Sequence, residues 1–258
     1  MKEINKNLSL SIKDFATLTS KSPIAIHLNP SGLIRLGKNN KNRFEVFRKF
    51  ILSVENLGGN ILIPTFSYSF VDKKSIFNVY NTPSKLEIIS ENLRKLNPEK
   101  RSFDPMFSYL MYGNFFDKRH KEVHDFDTFG DGGLIDDIFK ANGYLCAIGG
   151  VLEHLTELHY IEKMLGINYR MDKKFYGKTI DLQGLSHNQA ITFFCRDLDS
   201  DYSSSFLKFK NDIRSSNSLI NIYVEGYRMR LEAIRFRDCY DFLKFQISNN
   251  SKYCWSVE

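Results

Sequence analysis

Short apolar runs of strand length alternate with longer stretches of helical pattern in this chain. Residues 24–28, 60–66 and 144–151 are apolar runs that lie beside or contain glycine or proline. Between the first two runs, the apolar residues of 43–57 recur with the spacing of an amphipathic helix. Because buried strands that alternate with such helices are typical of α/β proteins, we predict an α/β fold.

The whole chain is predicted to form one domain. It has 258 residues, of which 42% are hydrophobic and 26% are charged, as in ordinary globular proteins. No linker rich in Pro, Gly or Ser and no internal repeat divides it. We predict a domain over 1–258, with 1–22 as an N-terminal extension and 165–205 as elaborated loops. Further helices are expected over 12–18, 83–96, 134–140, 203–215 and 236–245.

Composition narrows the classes of function. The four cysteines are far apart with no CxxC pair, so neither a zinc site nor a disulfide framework is indicated. No apolar run reaches transmembrane length and the N-terminus lacks a signal-peptide pattern, so we expect a cytoplasmic protein that does not bind membranes. The net charge of +6 would suit nucleic acid, an anionic membrane or an anionic small molecule. No basic block appears, so nucleic-acid binding has no support.

The stretch after the third apolar run is the candidate catalytic element. The paired glycines at 149–150 indicate a strand that turns sharply, and Thr156 is predicted to cap the helix that follows. His159 and Glu162 are three residues apart on that helix, so the carboxylate can hydrogen-bond one imidazole nitrogen while the other points away. This arrangement is typical of a general base. A helix whose His and Glu are merely solvated is the alternative.

The order of several motifs resembles the aminoglycoside 3-N-acetyltransferase family. The motifs span residues 24 to about 165 and are the strand ending in His27, Gly58-Gly59 with 63–70, the segment 101–108, Phe129-Gly130, and Gly149 leading into 156–162. The resemblance implies a single domain with a central mixed β-sheet flanked by helices. It also implies transfer of an acyl group from acyl-coenzyme A to an amino group on a sugar ring, by direct attack and without a metal. The donor would be acetyl-coenzyme A or a short hydroxyacyl-coenzyme A.

The resemblance assigns roles to residues of this chain. His159 would be the general base and Glu162 would orient it. The residues implied to contact the coenzyme are His27, Asn29, Ser31, Thr65, Ser67 and Thr156. The residues expected to contact the acceptor in the segment 101–108 are Arg101, Asp104 and Ser108. Tyr68 could stack on the base or sugar of the acceptor, and core packing is the alternative for its ring.

Two of these roles have alternatives, and the chain departs from the family pattern at two places. Arg101 could instead be structural and pair with a carboxylate. The family commonly has serines after the early strand, where this chain has Leu28-Asn29. The family usually has His before Pro in the Arg-Ser segment, where this chain has Asp104, which could bind the acceptor amine or cap the turn.

The net charge leads to a prediction for the acceptor. Aminoglycosides are polycations, and a chain of charge +6 should favour an acceptor that carries negative charge. We therefore predict an amino-deoxy sugar linked to a nucleotide (a dTDP- or UDP-sugar) in the synthesis of surface polysaccharide such as lipopolysaccharide O-antigen. The alternatives are aminoglycoside acetylation with antibiotic resistance, and a non-catalytic basic binding protein. A homodimer is compatible with the sequence.

Overall fold

A computed structural model describes residues 6–37, 39–197 and 202–257. Its helices are α1 Ile12–Lys21, α2 Asn40–Asn56, α3 Ile88–Leu96, α4 Leu134–Lys140, α5 Leu158–Met164, α6 Leu207–Arg214 and α7 Phe236–Asn249. Its strands are β1 Lys6–Leu10, β2 Ile24–Leu28, β3 Ile61–Pro64, β4 Ile76–Asn78, β5 Tyr109–Tyr112, β6 Phe126–Asp127, β7 Tyr144–Ile148, β8 Arg170–Ile180, β9 Ser186–Arg196, β10 Tyr202–Ser204, β11 Ile220–Val224, β12 Met229–Arg235 and β13 Trp255–Val257.

A mixed seven-stranded sheet forms the centre of the molecule. Its strand order is β1-β11-β12-β7-β2-β3-β5, in which β7, β2 and β3 are parallel to one another. The middle strands are apolar throughout because both of their faces are covered. Ile24 and Ile26 of β2 enter the core on one face, and Ala25 enters the core on the other. The predicted α/β fold with a central mixed sheet is confirmed.

Helices cover both faces of the central sheet. Apolar residues of α1, α2 and α3 join one core, among them Phe15, Phe47 and Leu93. The opposite core receives α4 to α7 together with a four-stranded sheet of order β4-β8-β9-β6. A small antiparallel pair, β10 with β13, is separate from both sheets.

Three predictions about elements need correction. Residues 6–22 are not an extension, since β1 pairs with β11 at the edge of the central sheet and α1 packs in the core. The segment 165–205 is mostly the long antiparallel hairpin of β8 and β9 rather than loops. The helix expected over 83–96 begins at Ile88, because the carboxylate of Glu87 accepts the backbone N–H of Ile89 and Ser90 there. The parts of those segments at 1–5 and 198–201 lie outside the described residues.

The carboxyl ends of β2, β3 and β7 meet at one edge of the sheet, where ligands bind in open α/β folds. The chain turns sharply after β7 because Gly149 and Gly150 have φ of 86° and 78°. The turn after β2 packs closely on it, since a Cβ on Gly32 would lie 2.5 Å from the Cα of Gly149.

In the described residues, no helix combines the length and the hydropathy needed to span a membrane.

Candidate active site

A cleft of about 610 Å³ opens at this edge of the sheet. Its floor contains His27 and Leu28 at the end of β2, and Pro64 and Phe66 at the end of β3. The turn after β7 and the start of α5 supply one wall, and the segments 86–90 and 204–207 close the sides. Of the twelve site residues predicted from the sequence, His27, Tyr68, Thr156 and His159 line this cleft.

His159 and Glu162 are in contact on α5. His159 Nδ1 lies 2.7 Å from Glu162 Oε2, and the side chain of Glu162 is fully buried. Because a carboxylate only accepts hydrogen bonds, Nδ1 carries the proton in the neutral ring and Nε2 keeps its lone pair. Nε2 makes no hydrogen bond to any described residue, and the ring is 21% exposed and lines the cleft. The imidazole is thus oriented as a base toward the cleft.

Tyr169 and Ser204 support this pair. The Tyr169 hydroxyl donates to Glu162 Oε1 at 2.6 Å, and the Ser204 hydroxyl donates to Oε2 at 3.4 Å. Burial and the charge of Glu162 raise the pKa of Tyr169 well above its usual range, so the phenol stays a donor. Neither residue was found from the sequence, because the contacts depend on how β8 and β10 pack against α5.

Thr156 lines the cleft, as the resemblance implied, but it does not cap the helix. α5 begins at Leu158 with Glu157 at the N-cap position, and no side chain caps it. Glu157 does not cap the helix with its own side chain, because that side chain points into the interior. There its carboxylate lies 2.9–3.0 Å from His27 Nε2.

His27, Glu157 and Tyr109 form a second buried network. Glu157 is fully buried, and the Tyr109 hydroxyl donates to its Oε1 at 2.9 Å. His27 is 7% exposed and lines the cleft. Neither Glu157 nor Tyr109 could be assigned to the site from the sequence, since the imidazole and the carboxylate are 130 residues apart.

Tyr68 also lines the cleft, and its contact with the acceptor stays a prediction. Its backbone is left-handed, with φ of 52°, a conformation that is rare for a bulky residue and that tends to occur at functional sites. Its ring packs edge-on against Phe66 and Phe107. Burial raises the pKa of the Tyr68 hydroxyl.

The charged groups on the cleft wall are acidic. Glu87 and Glu153 line it, and none of the described lining residues is Lys or Arg. Burial raises the pKa of Glu87 despite the hydrogen bonds that it accepts. Burial also acts on Glu153, but the hydrogen bond and charge of Lys210, at 2.6 Å, outweigh it and lower the pKa. The two acidic residues of the lining thus differ, because Glu153 has a cationic partner behind it and Glu87 has none among the described residues.

Asn29 and Ser31 are not part of the cleft. Asn29 Oδ1 accepts the backbone N–H and the hydroxyl of Ser31 at 3.0 and 2.8 Å, which caps the 3-10 turn Pro30–Leu36. Ser31 instead borders a groove of about 450 Å³ that also contains Arg228 and Arg230. Their contact with the coenzyme stays a prediction.

Thr65, Ser67, Arg101 and Ser108 are buried away from the cleft. The Thr65 hydroxyl donates to the Ser108 carbonyl, and the Ser67 hydroxyl donates to that of Pro105 at 2.9 Å. Arg101 is 0% exposed and donates to the Ser108 hydroxyl and to backbone carbonyls. Burial lowers its pKa to about 9. The predicted ligand contacts of these side chains need correction, because their polar atoms already hold two loops together.

Asp104 caps a turn. Its Oδ1 accepts the backbone N–H of Met106 and Phe107 at 2.7 and 2.9 Å, and Thr128 donates to Oδ2. Burial raises its pKa to about 6. It lies outside the cleft, so the capping alternative is correct and the acceptor contact is not.

The described residues contain no group of three or more His, Cys, Asp or Glu arranged to hold a metal ion.

The chain is similar to known proteins in sequence and in fold. Residues 37–246 match the aminoglycoside 3-N-acetyltransferase family. Among solved structures, AAC-IIIb in a binary complex with CoASH is 17% identical, with a TM-score of 0.66 over 94% of this chain and 97% of that chain. AAC-VIa bound to sisomicin is 14% identical, with a TM-score of 0.66 over 94% and 98%. YokD from Bacillus subtilis is 13% identical, with a TM-score of 0.63 over 96% of each chain. A search of curated proteins finds no match.

Proposed function

Because the chain belongs to the aminoglycoside 3-N-acetyltransferase family, whose members are acyl-coenzyme A-dependent N-acyltransferases, we propose that it acetylates an amino group of a polycationic amino sugar of the aminoglycoside class. Acetyl-coenzyme A is the donor. One observation carries this proposal. His159 has a free imidazole nitrogen in a cleft that is also lined by two glutamates and by no described Lys or Arg.

His159 acts on the acceptor amine. An amino sugar is largely an ammonium ion at neutral pH and attacks only after it has lost a proton. The neutral imidazole takes the proton that the nitrogen sheds as it attacks the thioester carbon. Glu162 holds the ring with Nε2 toward the cleft and stabilises the imidazolium that forms. Tyr169 keeps Glu162 in place through its hydroxyl.

Glu87 and Glu153 are suited to ammonium groups of the acceptor that do not react. Both residues line a cleft whose described lining contains no Lys or Arg. Glu153 also pairs with Lys210 at 2.6 Å, and Glu87 also accepts the backbone N–H of Ile89 and Ser90. Attraction over a few ångströms in a partly enclosed cleft is stronger than the screened field of distant surface charges. The nucleotide-linked sugar predicted from net charge lacks support, because its phosphates would lie beside Glu87 and Glu153 in this cleft.

The groove next to the cleft is suited to the phosphates of the coenzyme. Ser31 and Gly32, which follow β2, border the groove with Arg228 and Arg230. Gly149 borders the same groove, and Val151, two residues further on, lines the cleft. A thioester in the cleft can thus extend toward two guanidinium groups, which suit phosphate.

The test is release of the coenzyme thiol, followed with a thiol reagent, from acetyl-coenzyme A with aminoglycosides and with nucleotide-linked amino sugars. We expect turnover with aminoglycosides only. The paired variant Glu87→Gln/Glu153→Gln should raise the acceptor KM by about tenfold and leave the acetyl-coenzyme A KM within about threefold, since two attractive charges are lost from one subsite. Turnover with the nucleotide-linked sugars alone would refute the proposed acceptor.

His159→Gln should abolish turnover while coenzyme binding persists. His187→Gln is the matched control, because His187 also pairs with a carboxylate, Asp181 at 2.7 Å, but lies outside the cleft. Equal losses in the two variants would mean that His159 is not the base.

A further inference from the structure

The cleft contains a second imidazole–carboxylate pair that the base does not use. His27 Nε2 is within 3.0 Å of both oxygens of Glu157. Its other ring nitrogen, Nδ1, makes no hydrogen bond to any described residue. His27 packs edge-on against Phe66, whereas His159 packs against Phe129 and Phe206, so the two rings belong to different walls of the cleft.

The surroundings of Glu157 favour its ionised carboxylate. The carboxylate is fully buried, and His27 is the one basic side chain that pairs with it among the described residues. Burial alone would raise the pKa of Glu157, but the charge and hydrogen bond of His27, its own backbone N–H and the Tyr109 hydroxyl together lower it. A buried carboxylate needs hydrogen-bond donors, and His27 Nε2 and the Tyr109 hydroxyl are the side-chain groups placed to supply them.

A purely structural pair is a poor explanation for this arrangement. Buried ion pairs often stabilise a fold less than well-packed apolar residues of similar size do. Here Glu157 is 0% exposed, His27 is 7% exposed, and of the two only His27 lines the cleft. The segment that supplies Glu157 also supplies His159 two residues later, so one turn of chain positions both imidazoles.

We propose that His27 is the acid of the transfer reaction and protonates the leaving thiolate of coenzyme A, with Glu157 and Tyr109 as positioning residues. This inference rests on the proposed acetyl transfer. The amine nitrogen forms a bond to the thioester carbon and gives its proton to His159. The carbon–sulfur bond then breaks, and the sulfur takes both bonding electrons and a proton from His27. Transfer of a proton from His159 to His27 through cleft water restores both rings.

Two measurements on the full-length enzyme test the role of His27. His27→Gln should lower kcat about 100-fold or more, as expected for loss of a general acid, and leave the acetyl-coenzyme A KM within about threefold. In the binary complex with coenzyme A, ultraviolet absorbance of the thiolate reports ionisation of the thiol without any acceptor. Because imidazolium stabilises a nearby thiolate, the thiol should ionise at higher pH in His27→Gln than in wild type.

If His27→Gln does not fold, the milder variants Glu157→Gln and Tyr109→Phe replace it in the test. Each of them should give the same changes to a smaller extent. The other ionisable groups on the cleft wall, Tyr68, Glu87, Glu153, His154 and His159, are unchanged in all three variants. His187→Gln is again the control and should leave both readouts unchanged.

The outcomes separate this inference from the proposed function. A thiol that titrates identically in wild type and in all three variants overturns the role of His27, even if aminoglycosides are acetylated. A thiol whose titration depends on His27, in an enzyme that acetylates no aminoglycoside, supports the role of His27 and refutes only the acceptor. A kcat that falls equally with His27→Gln and His187→Gln also contradicts the proposal.

Discussion

Replacing Glu162 by Gln tests the orienting role of the buried carboxylate. Glu162 accepts three hydrogen bonds, from His159, Tyr169 and Ser204. A glutamine of the same shape keeps only one oxygen, so its amide must turn its nitrogen toward either His159 or Tyr169. The Tyr169 hydroxyl can rotate and accept a hydrogen bond, whereas Nδ1 can accept one only if the ring gives up the useful tautomer.

The favoured arrangement of the glutamine therefore keeps its oxygen on Nδ1. What is lost is the difference between a hydrogen bond to a charged group and a neutral one, about 1–2 kcal/mol. Since about 1.4 kcal/mol corresponds to a tenfold change in rate, kcat should fall by about 5- to 30-fold. If the nitrogen faces Nδ1 instead, the proton moves to Nε2 and the loss approaches about 10⁴-fold, as for the comparable Asp→Asn change in serine proteases.

The assay is release of the coenzyme thiol at saturating acetyl-coenzyme A, with coenzyme binding measured separately. Asp136→Asn is a matched control, because Asp136 is also a buried carboxylate and accepts a hydrogen bond from Tyr160 at 2.8 Å, but it lies outside the cleft. A kcat for Glu162→Gln within twofold of wild type would refute the orienting role. Equal losses in the two variants would indicate a general effect on the fold.

Two further predictions concern residues whose sequence-based roles changed. Arg101→Met should lower the free energy of unfolding in urea by about 3–5 kcal/mol, because buried carbonyls lose their donor, and unchanged stability would contradict this. The pKa of Asp104 is raised to about 6, so its contribution to stability is fully present below about pH 4 and is lost as pH rises through about 6. Asp104→Asn should keep the turn. It should also remove about 1–2 kcal/mol from the change in unfolding free energy between pH 4 and pH 7, a value reduced because the side chain is only partly buried. Identical pH profiles of urea stability for Asp104→Asn and wild type would show that the group does not titrate there.

Most strands and helices were predictable because their signals are local. The apolar run at 24–28 coincides with β2, and α4 begins and ends where its helical pattern does, at Leu134 and Lys140. The segment 165–205 was misassigned as loops because one face of its hairpin is solvated, so few residues carry a strand-like apolar signal.

Hydroxyl and guanidinium groups in loops were the least predictable part of the site. Ser67 and Arg101 lie in segments that resemble the family, but the sequence does not tell whether such a side chain faces a ligand or a backbone carbonyl. That choice depends on how the loops at 65–69 and 101–108 pack together, which buries both side chains.

The sequence by itself determined the contact between His159 and Glu162, because residues three apart on a helix share a face whatever surrounds them. The tertiary structure alone decided the pairing of His27 with Glu157, which joins the end of one central strand to the turn that follows another. It also decided which charged residues line the cleft. Net charge sums the whole surface, whereas a ligand in a cleft responds mainly to groups within a Debye length of roughly 10 Å. Only the packing of the described segments brings Glu87 and Glu153 to the lining and Lys210 to within 2.6 Å of Glu153.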